Sequence, residues 1–146
     1  MELDVMAPKR KDFFSQRARH WAKVVLALEN VKKTTGHALG VTVLLKYDGP
    51  PARRAALRAR WEKVLGAKTS FGSFEHPELG TIVLAGPLSE LFLQAVNGKK
   101  LAELTEGPYG ILRGLGLDGE TAREHIRALD KGEYLLLMRE EQGQRS

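Results

Sequence analysis

The sequence contains no cysteine, and this single absence excludes several kinds of chemistry. Disulfides, thiolate zinc sites, iron–sulfur clusters and cysteine nucleophiles all need a thiol, so none of them belongs to this chain. Long hydrophobic runs are missing as well, because no uncharged apolar run approaches the ~20 residues that a membrane-spanning helix requires. The first residues, MELDVMAPKRKD, contain no apolar core of a secretory signal. We therefore expect a cytoplasmic protein without a membrane span.

Side-chain amides are also scarce, since the chain has 2 Asn and 4 Gln against 12 Arg. This usage resembles that of thermophilic proteins, in which thermolabile amides are few. A length of 146 residues with 42% hydrophobic and 28% charged residues is typical of one globular domain. We predict a flexible basic leader at residues 1–12, a single α+β domain at 13–139 and a polar tail at 140–146.

The charge is distributed unevenly along the chain, although the formal net charge is only +5. Residues 1–68 contain 15 Lys and Arg against 6 Asp and Glu, a net charge of +9. Residues 69–146 contain 8 against 12, a net charge of −4. A basic front half can bind anions, or it can pair with the acidic back half within one chain or between copies.

Apolar residues near the N-terminus recur at helical spacing, which predicts a long amphipathic helix at about 13–35. Gly36 would end this helix. An amphipathic helix must cover its apolar face, either on the sheet of its own chain or on a second subunit. We predict an interaction face on this helix, formed by Phe14, Trp21, Val25 and Leu28.

The period changes from 3.6 to 2 at residue 40, and the pattern from there predicts the order β-α-β-β-α-(α)-β. Asn97 and Gly98 are expected to interrupt the second helical region, and residues 107–119 are expected to form a loop. The predicted order is that of a ferredoxin-like split βαβ sandwich, β-α-β-β-α-β, preceded by the additional N-terminal amphipathic helix.

Clustered cations suggest an alternative function, nucleic-acid binding. Neutralising phosphates releases counterions, so a patch of this kind would bind in a salt-sensitive way. Two tryptophans, Trp21 and Trp61, interleave with the cations but fall on predicted apolar faces, and residues 81–85 lack the aromatics of an RNA-recognition strand. The candidate anion or nucleic-acid patch consists of Lys9, Arg10, Lys11, Arg53, Arg54, Arg58 and Arg60.

Residues 114–119 read Gly-Leu-Gly-Leu-Asp-Gly and match the G-x-G-x-x-G pattern of dinucleotide-binding loops. In such loops the glycines let the backbone approach a pyrophosphate at a helix N-terminus. Asp118 would place a carboxylate where the phosphates must lie. We therefore interpret the segment as a helix entry with Asp118 as N-cap, and small-ligand or nucleotide binding remains a second alternative.

Histidines and serines give no pattern of a reactive centre. His20, His37, His76 and His125 lack the spacing that places two metal ligands on one helical face. The sequence also lacks a G-x-S-x-G nucleophile motif. We predict no catalytic residue, no metal site and no cofactor.

A family resemblance is carried by residues 79–88, which read Leu-Gly-Thr-Ile-Val-Leu-Ala-Gly-Pro-Leu, and by residues 110–117. It continues through Ala122, Ile126, Gly132 and residues 135–138. These residues resemble the C-terminal part of the bacterial general-stress or heat-induced protein family, whose biochemical role is undefined.

The chain departs from that family where the family has an apolar, membrane-seeking stretch, since Gln94, Asn97, Lys99 and Lys100 stand there. The resemblance implies a link to stress and brings no catalytic residues. We therefore expect a small non-enzymatic protein that acts through protein–protein contact or homo-oligomerisation, with nucleic-acid binding as the alternative.

Overall fold

The computed structural model describes residues 13–35, 39–66 and 69–140. The predicted leader at 1–12 and the tail residues after 140 lie outside these ranges. The strands are β1 (Phe13–Ala18), β2 (Leu39–Lys46), β3 (Phe71–His76), β4 (Gly80–Ala85), β5 (Ala95–Val96), β6 (Lys99–Lys100) and β7 (Tyr134–Glu140). The α-helices are α1 (Trp21–Thr35), α2 (Ala52–Leu65), α3 (Ser89–Leu93), α4 (Gly107–Gly114) and α5 (Gly119–Asp130), and a 3₁₀ turn covers Leu101–Glu103.

Five of the strands form one antiparallel sheet in the order β1-β7-β2-β4-β3. The chain therefore belongs to the predicted α+β class. Strand β7 lies between β1 and β2, and its Leu137 pairs with Ser15 on one side and Thr42 on the other. The apolar run of β7 is typical of a strand covered on both faces.

Helices cover both faces of the sheet. Leu136 and Met138 of β7 point toward α1 and α2, whereas Leu135 and Leu137 point toward α3, α4 and α5. This alternation follows from the two-residue period of a strand. The two cores thus share one sheet, whose central strands β7, β2 and β4 are largely buried between them.

The predicted helix at 13–35 is wrong in its first part, because Phe13–Ala18 is strand β1 and the helix begins at Trp21. Pairing with β7 overrides the helical spacing: Phe13 points into the core beneath α5, and Ala18 into the core beneath α1. In α1 the buried residues include Val24, Ala27 and Leu28.

Two glycine-rich segments also differ from the prediction. Asn97 and Gly98 both have positive φ, 55° and 80°, and they form the turn of the β5–β6 hairpin instead of a helix break. The predicted loop at 107–119 contains α4, which has a proline in its first turn and buries Leu112. Proline is favourable there because that turn has no helical acceptor for its N–H.

The connection from β4 to α3 crosses β2 at close range. Gly86 has φ +131°, and a Cβ built on it would lie 2.3 Å from the carbonyl oxygen of Val41. The backbone N–H of Leu88 donates to the Thr42 hydroxyl over 2.8 Å. Gly86 and Leu88 both belong to the segment that carries the family resemblance, and here they fix a backbone crossing.

Candidate functional site

The four residues of the predicted interaction face do not form one surface. Trp21 stacks on Trp61 with ring centroids 6.0 Å apart and an interplanar angle of 5°. Leu28 is buried, Val25 is half-buried, and Phe14 lies on β1 with 48% of its surface exposed. The apolar side of α1 therefore packs on its own sheet, and Phe14 is separate from it.

Trp61 is the fully buried anchor of α2 and is surrounded by aromatic rings. Its ring centroid lies 5.9 Å from that of Phe71 and 6.3 Å from that of Tyr134. Burial raises the pKa of the Tyr134 hydroxyl, whereas the neighbouring Arg60 lowers it. Offset and edge-on contacts of this kind add to the burial energy of the rings.

Three arginines of α2 lie over aromatic rings at the border of this cluster. The guanidinium carbons of Arg54 and Arg58 lie 5.4 Å and 5.6 Å from the ring centroids of Tyr47 and Phe71. Arg60 lies 5.8 Å from the ring of Trp21. Cation–π contacts restrain the arginine side chains without neutralising their charge.

The cations of α2 are largely free of carboxylates. Glu62 pairs with Arg58 at 2.9 Å, whereas no ion pair within residues 13–35, 39–66 and 69–140 involves Arg53, Arg60 or Lys63. The helix carries five Lys and Arg against one Glu, a net charge of +4. We call this surface the cationic face and define it by Arg53, Arg54, Arg58, Arg60 and Lys63.

The opposite layer is close to neutral. Residues 89–131, which contain α3, α4 and α5, have six Lys and Arg against seven Asp and Glu, a net charge of −1. Part of the charge difference between the two halves of the sequence is thus a charge difference between the two sides of one sheet. Lys9, Arg10 and Lys11 of the predicted patch lie outside the described residues.

The predicted patch left out Lys63, and the stacking of the arginines on aromatic rings was not predicted. Lys63 follows Trp61 on the outer side of α2 and was visible in the sequence as one more cation of the same helix. The stacking partners Tyr47 and Phe71 had no local signal, because they reach α2 only through the tertiary fold.

A buried histidine joins α5 to the edge strand β1. His125 is 4% exposed, and its Nε2 lies 2.9 Å from the Ser15 hydroxyl. Its Nδ1 is buried with no hydrogen-bond partner in the described part of the chain. The contact between His125 and Ser15 thus links α5 to β1.

This link predicts a loss of stability in mild acid. Burial lowers the pKa of His125, Arg17 lowers it further, and Glu124 raises it. A histidine whose folded pKa lies below 6.5 stabilises the fold fully above pH 6.5, and this contribution disappears as the pH falls through its folded pKa. Urea unfolding at pH 7.5, 6.5 and 5.5 should show a falling free energy of unfolding, and His125→Gln should reduce that fall. An unchanged pH dependence in the variant would contradict the assignment.

The glycine-rich segment at 114–119 joins two helices. Gly116 has φ +115° and ends α4, while the Asp118 carboxylate accepts the backbone N–H of Thr121 over 2.7 Å. Hydrogen bonds from Thr121 are the main reason why the pKa of Asp118 is lowered. The predicted N-cap role of Asp118 is confirmed, and its carboxylate occupies the position that a pyrophosphate would need.

A cavity of about 220 Å³ lies between the β3–β4 turn, α4 and α5. His76 borders it with both ring nitrogens engaged: Nε2 lies 2.9 Å from the Thr105 carbonyl oxygen, and Nδ1 accepts the N–H groups of Glu78 and Leu79. His76 therefore stabilises the turn.

Metal-binding groups, membrane-spanning helices and known relatives are the remaining features that bear on function. Within the described ranges, no three His, Asp or Glu side chains are grouped so that they could hold a metal ion. None of the helices in these ranges is both long and apolar enough to cross a membrane. Comparison with known proteins identifies no relative: no family model, curated protein or solved structure matches the chain.

Proposed function

We propose that this protein is a non-enzymatic nucleic-acid-binding protein that contacts the phosphodiester backbone through the cationic face. The observation that carries the proposal is the difference in charge between the two layers, +4 on α2 against −1 on residues 89–131. Uncompensated Arg and Lys on one face are the electrostatic footprint of a phosphate-binding surface.

The geometry supports contacts to the backbone rather than to the bases. Trp61 is buried and Trp21 is half-buried against it, so neither tryptophan offers a free ring for base stacking. Helices cover the central strands β7, β2 and β4 on both faces, so these strands offer no open surface for the bases of single-stranded RNA. Arginines restrained over aromatic rings lose less side-chain entropy when they bind phosphate.

The first test is binding of a fluorescein-labelled DNA duplex measured by fluorescence anisotropy. If the cationic face contacts about five phosphates, affinity should fall roughly 10²- to 10³-fold between about 50 and 200 mM salt. Arg53→Glu combined with Lys63→Glu should weaken binding at least about tenfold and reduce the salt slope by about 2 or more. Both side chains are exposed and make no ring contact or ion pair within the described residues.

A matched control changes the same net charge on the opposite layer, with Arg127→Glu in α5 and Lys131→Glu at the C-cap of that helix. This control should retain most of the affinity, because its side chains lie on the other side of the sheet. Equal weakening by both double variants would assign binding to net charge alone. No binding by the wild type at low salt would overturn the proposal. Binding of single-stranded DNA, measured in the same way, should show a smaller salt slope than binding of the duplex.

We also propose a ferredoxin-like arrangement for residues 39–140. Its support is the antiparallel strand order β7-β2-β4-β3 with α2 between β2 and β3. The additional edge strand β1 and the helices on both sheet faces depart from a two-layer sandwich. Kinship with the general-stress family, a cytoplasmic location and a role in stress are proposals that rest on the resemblance and composition described above.

A further inference from the structure

The two edges of the five-stranded sheet are treated differently by the fold. At the β3 edge, Lys100 Nζ donates to the carbonyl oxygen of Ser73 over 2.9 Å, and the Glu103 carboxylate accepts the N–H of Glu75 over 2.8 Å. The side chain of Leu93 also packs on Gly72. Because peptide groups of β3 are already bonded by side chains, this edge is closed to another strand.

The β1 edge has no such cover within the described ranges. Strand β1 pairs with β7 on one side, and no described strand lies on its other side. It is six residues long, lacks proline and exposes Phe14 to 48%. Unpaired N–H and C=O groups along such a strand can be satisfied by water or by another strand.

We propose that two copies of this chain associate through β1, so that antiparallel β1–β1 pairing makes one continuous sheet across a two-fold axis. The closed β3 edge identifies the partner surface, because β1 of one copy cannot extend onto β3 of the next. Among the described strands of the five-stranded sheet, the edge available in a second copy is therefore β1 itself. A self-complementary contact of this kind gives a closed dimer instead of a fibre.

Charge and side-chain size select the register of this pairing. A register centred on Ser15 sets each Arg17 opposite Phe13 of the other copy, so the two Arg17 side chains lie about 14 Å apart along the strands. Centring on Gln16 would instead make them diagonal neighbours, which like charges disfavour. With Ser15 at the axis, the two Phe14 rings meet diagonally on the α1 side of the sheet, within contact distance of each other.

This inference is independent of nucleic-acid binding and is tested without nucleic acid. Sedimentation velocity of the wild type should show a concentration-dependent dimer of twice 16.2 kDa. Phe14→Glu should raise the dimer dissociation constant at least about tenfold. Leu26→Glu is the comparison variant, because Leu26 is similarly exposed, at 51% against 48%, and belongs to α1 instead of β1.

A cross-link supplies a second measurement that does not depend on the Phe14 variant. Since the chain has no cysteine, Ser15→Cys places one thiol at the proposed axis, where mild copper–phenanthroline oxidation of two thiols would form one disulfide. Covalent dimer is expected for Ser15→Cys and not for Leu26→Cys. A monomeric wild type, as would result if residues 1–12 or a different protein covered β1, overturns the proposal. The proposal is also overturned if Leu26→Glu dissociates the dimer and Phe14→Glu does not.

Discussion

Gly86→Ala should be among the most destabilising single substitutions in this protein, with an expected loss of roughly 3–5 kcal/mol. The backbone at Gly86 has φ +131°, a conformation that residues with a side chain rarely adopt. An added Cβ would lie 2.3 Å from the Val41 carbonyl oxygen and 2.5 Å from the Thr42 Cα. Both obstacles are backbone atoms of β2, so no rotamer change can relieve them.

A second glycine provides the matched control. Gly110 lies inside α4, and a Cβ built on it has no neighbour within 4 Å. Gly110→Ala should therefore stabilise the protein by about 0.5–1 kcal/mol, because alanine loses less backbone entropy in a helix. Thermal and urea unfolding of both variants would measure these opposite changes. A Gly86→Ala protein as stable as the wild type would contradict the close approach of Gly86 to the backbone of β2.

Trp61→Ala should have the second large effect, a loss of about 3–5 kcal/mol in unfolding free energy. Trp61 is 0% exposed and is the buried residue of α2, so its removal leaves a cavity where the helix meets the sheet. For a domain of this size, such a loss lowers the melting temperature by roughly 10–15 °C. The same variant should weaken duplex binding, since Arg58 and Arg60 are positioned on rings of the cluster around Trp61.

The conservative replacement Trp61→Phe distinguishes the loss of ring packing from the loss of the indole N–H. Phenylalanine refills much of the volume, and it also removes the indole N–H, which has no hydrogen-bond partner among the described residues. An unsatisfied buried donor costs about 1–3 kcal/mol, so its removal offsets part of the lost contact. Trp61→Phe should thus cost clearly less than Trp61→Ala. Equal losses for the two variants would contradict the account of an unpartnered donor at the centre of the cluster.

Local sequence patterns determined several of the strands and the last helix. The last helix follows from Asp118 at its start and from apolar residues at helical spacing, and the structure has α5 at Gly119–Asp130 with Asp118 as N-cap. Strands β2, β4 and β7 follow from their apolar composition. These elements were predictable because their capping and burial patterns lie within a few residues of one another.

Partners distant in sequence decided the first residues and the glycine-rich segments. Phe14 and Ala18 match the helical period of α1, yet β7, more than a hundred residues away, recruits them into a strand. Likewise, Gly110 and Gly114 suggested a loop, but burial of Leu112 stabilises α4. Tertiary hydrogen bonding and burial outweigh intrinsic preferences of a few tenths of a kcal/mol per residue.

By itself, the sequence determined the absence of thiol chemistry, the α+β class and the cations of α2, since composition and short-range periodicity encode each of them. Only the tertiary structure decided that these cations face away from a near-neutral layer, that aromatic rings contact three of the arginines, and that no described strand covers the outer side of β1. The physical reason is that charge and ring contacts depend on distance in space, which chain order does not specify until the sheet forms.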